Sequence, residues 1–158
     1  MIDSNILRGI IFFDGLTATE LMQISKIFKI VKLKKGDKIF SRGDSAKDFY
    51  IVRSGKVHLC FQISILLADE EIVVDIKSVG DVFGWSALVE PHELTLSAYC
   101  DEGCELIQMR GKDVLSLCAK NHHMGYILMG NLAKVISSRM DRIQGLFEKE
   151  IELSAPSF

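Results

Sequence analysis

The feature that most limits what this chain can fold into is a double change of hydrophobic period. Thr17 and Glu20 have the spacing of a capping box, in which the Thr side chain accepts from a free backbone N–H and the Glu reaches back. Leu16 and Leu21 sit where a hydrophobic staple closes such a cap, and Leu21, Ile24, Ile27 and Phe28 recur at helical spacing. From Val31 to Met109 the period drops to two. Val57, Leu59, Phe61 and Ile63 alternate with Lys56, His58, Gln62 and Ser64, and Ile72, Val74 and Ile76 alternate around Asp75. Turn signals cut this stretch at Lys35-Gly36-Asp37, Arg42-Gly43-Asp44, Arg53-Ser54-Gly55, Ala68-Asp69-Glu70, Val79-Gly80-Asp81 and Asp101-Glu102-Gly103. Gly36, Gly43 and Gly55 are expected at positive φ, a structural role. Many short strands with Gly-based turns imply a closed or two-layer β architecture.

From about Lys112 the helical period returns. A short helix, Val114 to Ala119, is expected to end near Asn121-His122-His123, and a long one runs from about Met124 to Leu153. Leu128, Leu132, Val135, Ile143 and Leu146 form a stripe on it, with Ile136, Met140 and Phe147 beside. At 1.5 Å per residue this helix is about 45 Å long, more than a domain this small can cover. The simplest cover for the rest of the stripe is a second copy of the same helix, in a two-fold contact resembling a coiled coil. The alternative is a helix packed wholly on its own barrel. The expected division is therefore a β domain over 1–123, with N-terminal helices, and a dimerisation helix over 124–153.

Net charge is −2, whereas a domain that holds nucleic acid by its own surface is usually basic. The apolar start, MIDSNILRGIIFF, meets Asp14 too soon for a signal peptide or a membrane span. The expected setting is the cytoplasm. There, Cys60, Cys100, Cys104 and Cys118 read as small hydrophobes, with a redox pairing of Cys100 and Cys104 across a turn left open.

The most informative segment is Gly80-Asp81-Val82-Phe83-Gly84-Trp85-Ser86-Ala87-Leu88-Val89-Glu90-Pro91. A Gly turn leads into a very short helix, Trp85 to Val89, whose first N–H groups and dipole end suit a small anion. With this segment, the Gly-Asp turns, Tyr50-Ile51-Val52 followed by Ser54-Gly55-Lys56-Val57, and the long last helix, the chain resembles the Crp/Fnr and cyclic-nucleotide-binding domain family over about residues 10 to 150. The resemblance implies an eight-stranded β-roll, or jelly roll, with short flanking helices and a long C-terminal helix. It also implies a cassette that holds cyclic phosphate and ribose, and dimer contacts from the long helix, which lies over the base.

The departures from that pattern fall on the ligand's grips. Trp85 stands where the resemblance places a ribose-binding Glu. Leu94 or Leu96 stands where it places a phosphate-binding Arg, and no Arg occurs between Arg53 and Arg110. Near the cassette only His92 is basic. Loss of such an Arg weakens phosphate binding about 10- to 100-fold. Trp85 either stacks on a different, less charged ligand or fills the vacated pocket. By the resemblance, Gly84, Ser86, Ala87 and Ser97 border the same space, with the Ser86 and Ala87 N–H groups turned toward it. Arg142 and Gln144 lie near where relatives touch the base, although Arg142 on a helix equally suits solvent.

Metal chemistry finds little support, since His58, His92, His122 and His123 form no His-x-His pair; haem through His58 or His92 is left open. No catalytic set stands out, and no helix-turn-helix module occurs in this chain. Three readings are open. The first is a regulatory sensor domain, not an enzyme, that binds a small molecule other than ordinary cyclic AMP, or no nucleotide. The others are an interaction domain with a closed pocket and a cyclic-nucleotide-responsive sensor of a transcription regulator. No cofactor is expected beyond a small anionic or nucleotide-like ligand, and no membrane or direct nucleic-acid contact.

Overall fold

The computed structural model describes residues 3–156. Helix α1 (Ala18–Ser25) starts at the expected capping box: the Glu20 N–H donates to Thr17 Oγ1, and Glu20 Oε2 accepts from the Thr17 N–H. Two short 3-10 turns, Ser4–Leu7 and Ile11–Phe13, precede it. Phe28 does not continue the helix. It opens strand β1 (Phe28–Leu33), because its inward face is claimed by the sheet.

The remaining strands are β2 (Lys38–Phe40), β3 (Asp48–Ser54), β4 (Val57–Ile65), β5 (Ala68–Lys77), β6 (Val82–Phe83), β7 (Ser97–Cys100) and β8 (Cys104–Arg110). They form two antiparallel four-stranded sheets, ordered β1-β8-β3-β6 and β2-β7-β4-β5. The sheets enclose one core, with Val52, Leu59, Phe83, Ala98 and Leu106. A second core lies on the outer face of the first sheet. There Phe49, Ile51, Ile107 and Met109 meet Phe12, Ile24, Met124 and Leu128 of the helical layer. Being covered on both faces explains why β3 reads as an unbroken apolar run rather than an alternation.

Two sequence expectations change in the β4–β5 hairpin. Ala68, Asp69 and Glu70 belong to β5 and are not a turn. The loop is Leu66-Leu67, with φ of 47° and 78°. Positive φ at both positions is the type I′ form of a two-residue hairpin, which Asn-Gly usually signals and Leu-Leu does not. Further along, the register shifts between Leu59 and Cys60. This bulge resets the facing of the paired residues near the hairpin's base, so Asp75 and Lys77 turn inward while Ile76 is 49% exposed.

Helix α2 (Gly111–Lys120) starts earlier than the sequence suggests, because β8 feeds directly into it. Helix α3 (His122–Ser154) has 33 residues, about 50 Å by the α-helical rise. Its start is fixed by charge and hydrogen bonding. Asn121 Oδ1 caps the Met124 N–H, while Asn121 Nδ2 and His123 Nδ1 both donate to buried Glu20 at 2.8 Å. His123 thus ties α3 to α1 rather than serving only as a solvated junction. Farther on, Asn131 Nδ2 donates to the carbonyls of Phe12 and Asp14, each at 2.9 Å.

The stripe expected to face a second copy divides in two. Leu128 and Leu132 are 0% and 3% exposed, inside the protomer's own core, so they are not available to a partner. Val135 and Ile136 are half-buried against the roll. Met140, Ile143 and Leu146 are open, as are Phe147 and Ile151. A helical period gives the face but not the point along the helix where the roll ends.

Candidate functional site: the hollow at Gly84

Strand β6 ends at Gly84, whose φ of 70° is left-handed. A Cβ there would lie 3.2 Å from the Phe40 ring, 3.3 Å from the Tyr50 ring and 3.4 Å from the Asp48 carbonyl. Both conformation and crowding require glycine. The chain then makes a single 3-10 turn, Trp85–Leu88, one residue shorter than the expected helix. This turn fronts a hollow whose lining includes Gly84, Trp85, Ser86, Leu94 and Leu96, all named from the sequence. Phe40, Leu59, Thr95 and Arg139 complete it.

The other sequence candidates lie elsewhere. Ala87 is buried behind the turn, and its N–H donates to the Gly84 carbonyl at 3.2 Å, so it is not free for a ligand. Ser97 Oγ accepts from the Arg42 N–H at 2.9 Å. Gln144 is exposed on α3, outside the lining. Arg142 reaches the carboxylate of Asp75 instead of projecting only into solvent. Asp75 also holds the Lys77 ammonium at 2.8 Å, and the carboxylate is nearly inaccessible.

Arg139 is the residue that sequence reasoning missed. Its guanidinium lies over the Trp85 ring, 5.6 Å from the centroid. Such a contact attracts through the ring quadrupole and strengthens with desolvation. Burial pulls the Arg139 pKa down, opposed by the nearby Asp75 charge. A cation therefore does reach the cassette, from the long helix and not from the β segment. The available signal was its position one helical turn before Arg142, which shares its face.

The room left in the hollow is about 20 Å³. One water needs roughly 10–15 Å³, and sites for small organic ligands span about 300–1,000 Å³. Trp85, the leucines and Arg139 fill the space in this conformation.

The remaining chemistry is quiet. Cys104 and Cys100 are in contact, as the sequence left open; burial first and that contact second push the Cys104 thiol up, so its ionisation does not favour a reactive thiolate. His58 pairs with Asp101 at 3.2 Å, and His92 Nδ1–H donates to the Ser86 carbonyl at 3.0 Å. Among the described residues no group of three or more His, Cys, Asp or Glu side chains is placed to hold a metal. No helix among them is long and apolar enough to cross a membrane.

A profile of the cyclic nucleotide-binding domain matches residues 30–121, more than half of the chain. The chain belongs to the cyclic nucleotide-binding domain family. Within that family it is 28% identical to the cyclic AMP receptor protein of Thermus thermophilus, over 96% of this chain and 64% of that protein. It also resembles a solved putative cyclic nucleotide-binding protein from Geobacter metallireducens, with 26% identity and a TM-score of 0.76. That match covers 89% of this chain and 99% of the other. A third relative, glutaminase 1 of Bradyrhizobium diazoefficiens, is 27% identical over 80% of this chain but only 19% of its own length. The chain thus spans under two thirds of these two longer relatives. The mainly β jelly roll with a long last helix is the fold of the family, as the resemblance implied.

Proposed function

We propose that this cyclic-nucleotide-binding-type domain is a regulatory module, not a catalyst, for which ordinary cyclic AMP is not the ligand. Its output is the placement of α3 in a dimer made through the exposed half of that helix. The observation that carries this reading is the filled hollow. By the family resemblance Trp85 stands at the position of a ribose grip and Leu94 or Leu96 at that of a phosphate grip; all three line the hollow, and Arg139 of α3 lies over Trp85. Any molecule that enters must displace Trp85 or Arg139, and displacing Arg139 removes a contact that holds α3 to the cassette. A small anionic ligand with a flat apolar body suits that exchange, because it offers the guanidinium a counter-charge and replaces the indole surface.

A second reading, an interaction domain whose pocket stays shut, is favoured by the roughly one-water volume of the hollow. Trp85 is the sole tryptophan, so its fluorescence reports on the hollow alone. Titration with cyclic AMP should leave that fluorescence unchanged, and calorimetry should detect no low-micromolar binding. A low-micromolar dissociation constant would overturn the proposal. Thermal-shift screening of small anions then separates the two readings: a ligand that raises the melting temperature and changes Trp85 emission supports the sensor, and silence throughout supports the closed domain.

A further inference from the structure

We propose that the opposite side of the Gly84–Leu88 segment carries a second binding site, for a small organic anion with an apolar body. A groove of about 490 Å³ lies there, against the roughly 20 Å³ left in front. Its volume falls within the range of about 300–1,000 Å³ occupied by small-molecule sites. Lys47, His92, Arg110 and Lys112 supply its basic lining, and Ala87 and Leu115 its apolar surface. No acidic residue lines it. Lys47, Arg110 and Lys112 take part in none of the ion pairs among the described residues. Asp48, next to Lys47 in sequence, is engaged by Gln108 Nε2 at 2.6 Å. Asp113, next to Lys112, lies outside the lining.

The backbone holds these groups in place. The Gly111 N–H donates to the Lys47 carbonyl at 2.9 Å, joining the start of β3 to the junction of β8 and α2. Gly111 also passes so close to the cassette that a Cβ there would fall 2.2 Å from the Ala87 carbonyl oxygen. His92 is fixed by its bond to Ser86. Asp48 lies opposite Arg110 in the sheet register but outside the lining, so the three cations raise the positive potential of the groove itself, and an anion there relieves it. The apolar surface gives the ligand's body somewhere to lie. Because Ala87 belongs to the segment that carries Trp85 on its other side, occupancy here bears directly on the hollow.

Phenyl phosphate is a suitable probe, with benzyl alcohol as its uncharged counterpart. Nitrogen–proton correlation NMR of the whole chain should show saturable shifts at the amides of Ala87, His92 and Leu115 with phenyl phosphate. The same concentrations of benzyl alcohol should give none. Lys47→Ala and Arg110→Ala should each weaken binding about fivefold, as for exposed charge pairs. The double variant should lose saturation while keeping the wild-type melting temperature. No shifts at these amides up to the solubility limit would overturn the proposal. So would equal binding by the double variant, or benzyl alcohol binding as tightly as the phosphate.

Discussion

From Asn121 to Leu132 helix α3 is fastened to the roll by buried groups, whereas every residue from Met140 to Pro156 is open to solvent or nearly so. The first half is part of the domain. Met124, Leu128 and Leu132 complete its core, Glu20 gathers the start of the helix, and Asn131 holds the N-terminal segment. The second half leaves the roll after two arginines, Arg139 over Trp85 and Arg142 on Asp75. One continuous helix therefore combines a structural anchor with an arm whose position two polar contacts decide. The junction between them also covers the hollow, so the anchored half of α3 ends where Arg139 meets Trp85.

The comparison predicts a steep gradient in the cost of substitution. Leu128→Ala removes a fully buried side chain from the anchored half and should lower unfolding free energy by about 3–5 kcal/mol, read as a lower urea midpoint. A loss below about 1 kcal/mol would mean that the anchor is not where the burial places it. Asp75→Asn comes next, at about 3 kcal/mol, because it leaves Lys77 buried without its counter-ion and frees Arg142. Hydrogen exchange in this variant should speed up from Arg139 onward while Leu128 and Leu132 stay protected.

Glu20→Gln tests the fastening at the start of α3. Burial alone would raise the Glu20 pKa. Hydrogen bonds from the Thr17 backbone, His123, Asn121 and the Thr17 hydroxyl outweigh it and hold the group near 2, against an ordinary 4.5. The folded pKa lies below the unfolded one. The carboxylate's contribution is thus fully present above about pH 4.5 and is lost as the pH falls toward 2. Glu20→Gln should cost about 2 kcal/mol at pH 7, and the gap to wild type should shrink through that acid window. A gap that stayed constant from pH 7 to pH 2 would refute this assignment.

Most of the fold was legible in the sequence because its signals are local. The capping box, the Gly turns and the return to helical period each depend on neighbours in the chain. What was illegible depends on distant partners. The Leu66-Leu67 loop contradicts its own turn preference, and the bulge at Leu59 and Cys60 turns Asp75 inward, so no local alternation reveals the Asp75 ion pairs. In the hollow, Gly84, Trp85, Ser86, Leu94 and Leu96 could be named because the family resemblance assigns that short stretch of chain to the ligand. Arg139 lies more than 50 positions from Trp85 along the chain. Only the docking of α3 brings the two together.

The smallest change in stability should accompany the largest change in assembly. Met140 and Ile143 are 55% and 49% exposed, one turn apart on the arm, and neither belongs to a core cluster. Replacing both with Glu should therefore alter unfolding free energy by less than about 0.5 kcal/mol, as for exposed positions generally. If a second copy covers this stripe, two carboxylates placed against its apolar face are desolvated in the dimer and not in the monomer, so the penalty falls wholly on association. Light scattering should then report the monomer mass for Met140→Glu/Ile143→Glu and twice that mass for the unmodified chain. Leu132→Glu cannot serve this purpose, since it would break the core before reaching any interface. A double variant that keeps both its melting temperature and the dimer mass would show that the arm pairs through another face, or not at all. An arm that does not pair would leave the placement of α3 without a partner to read it.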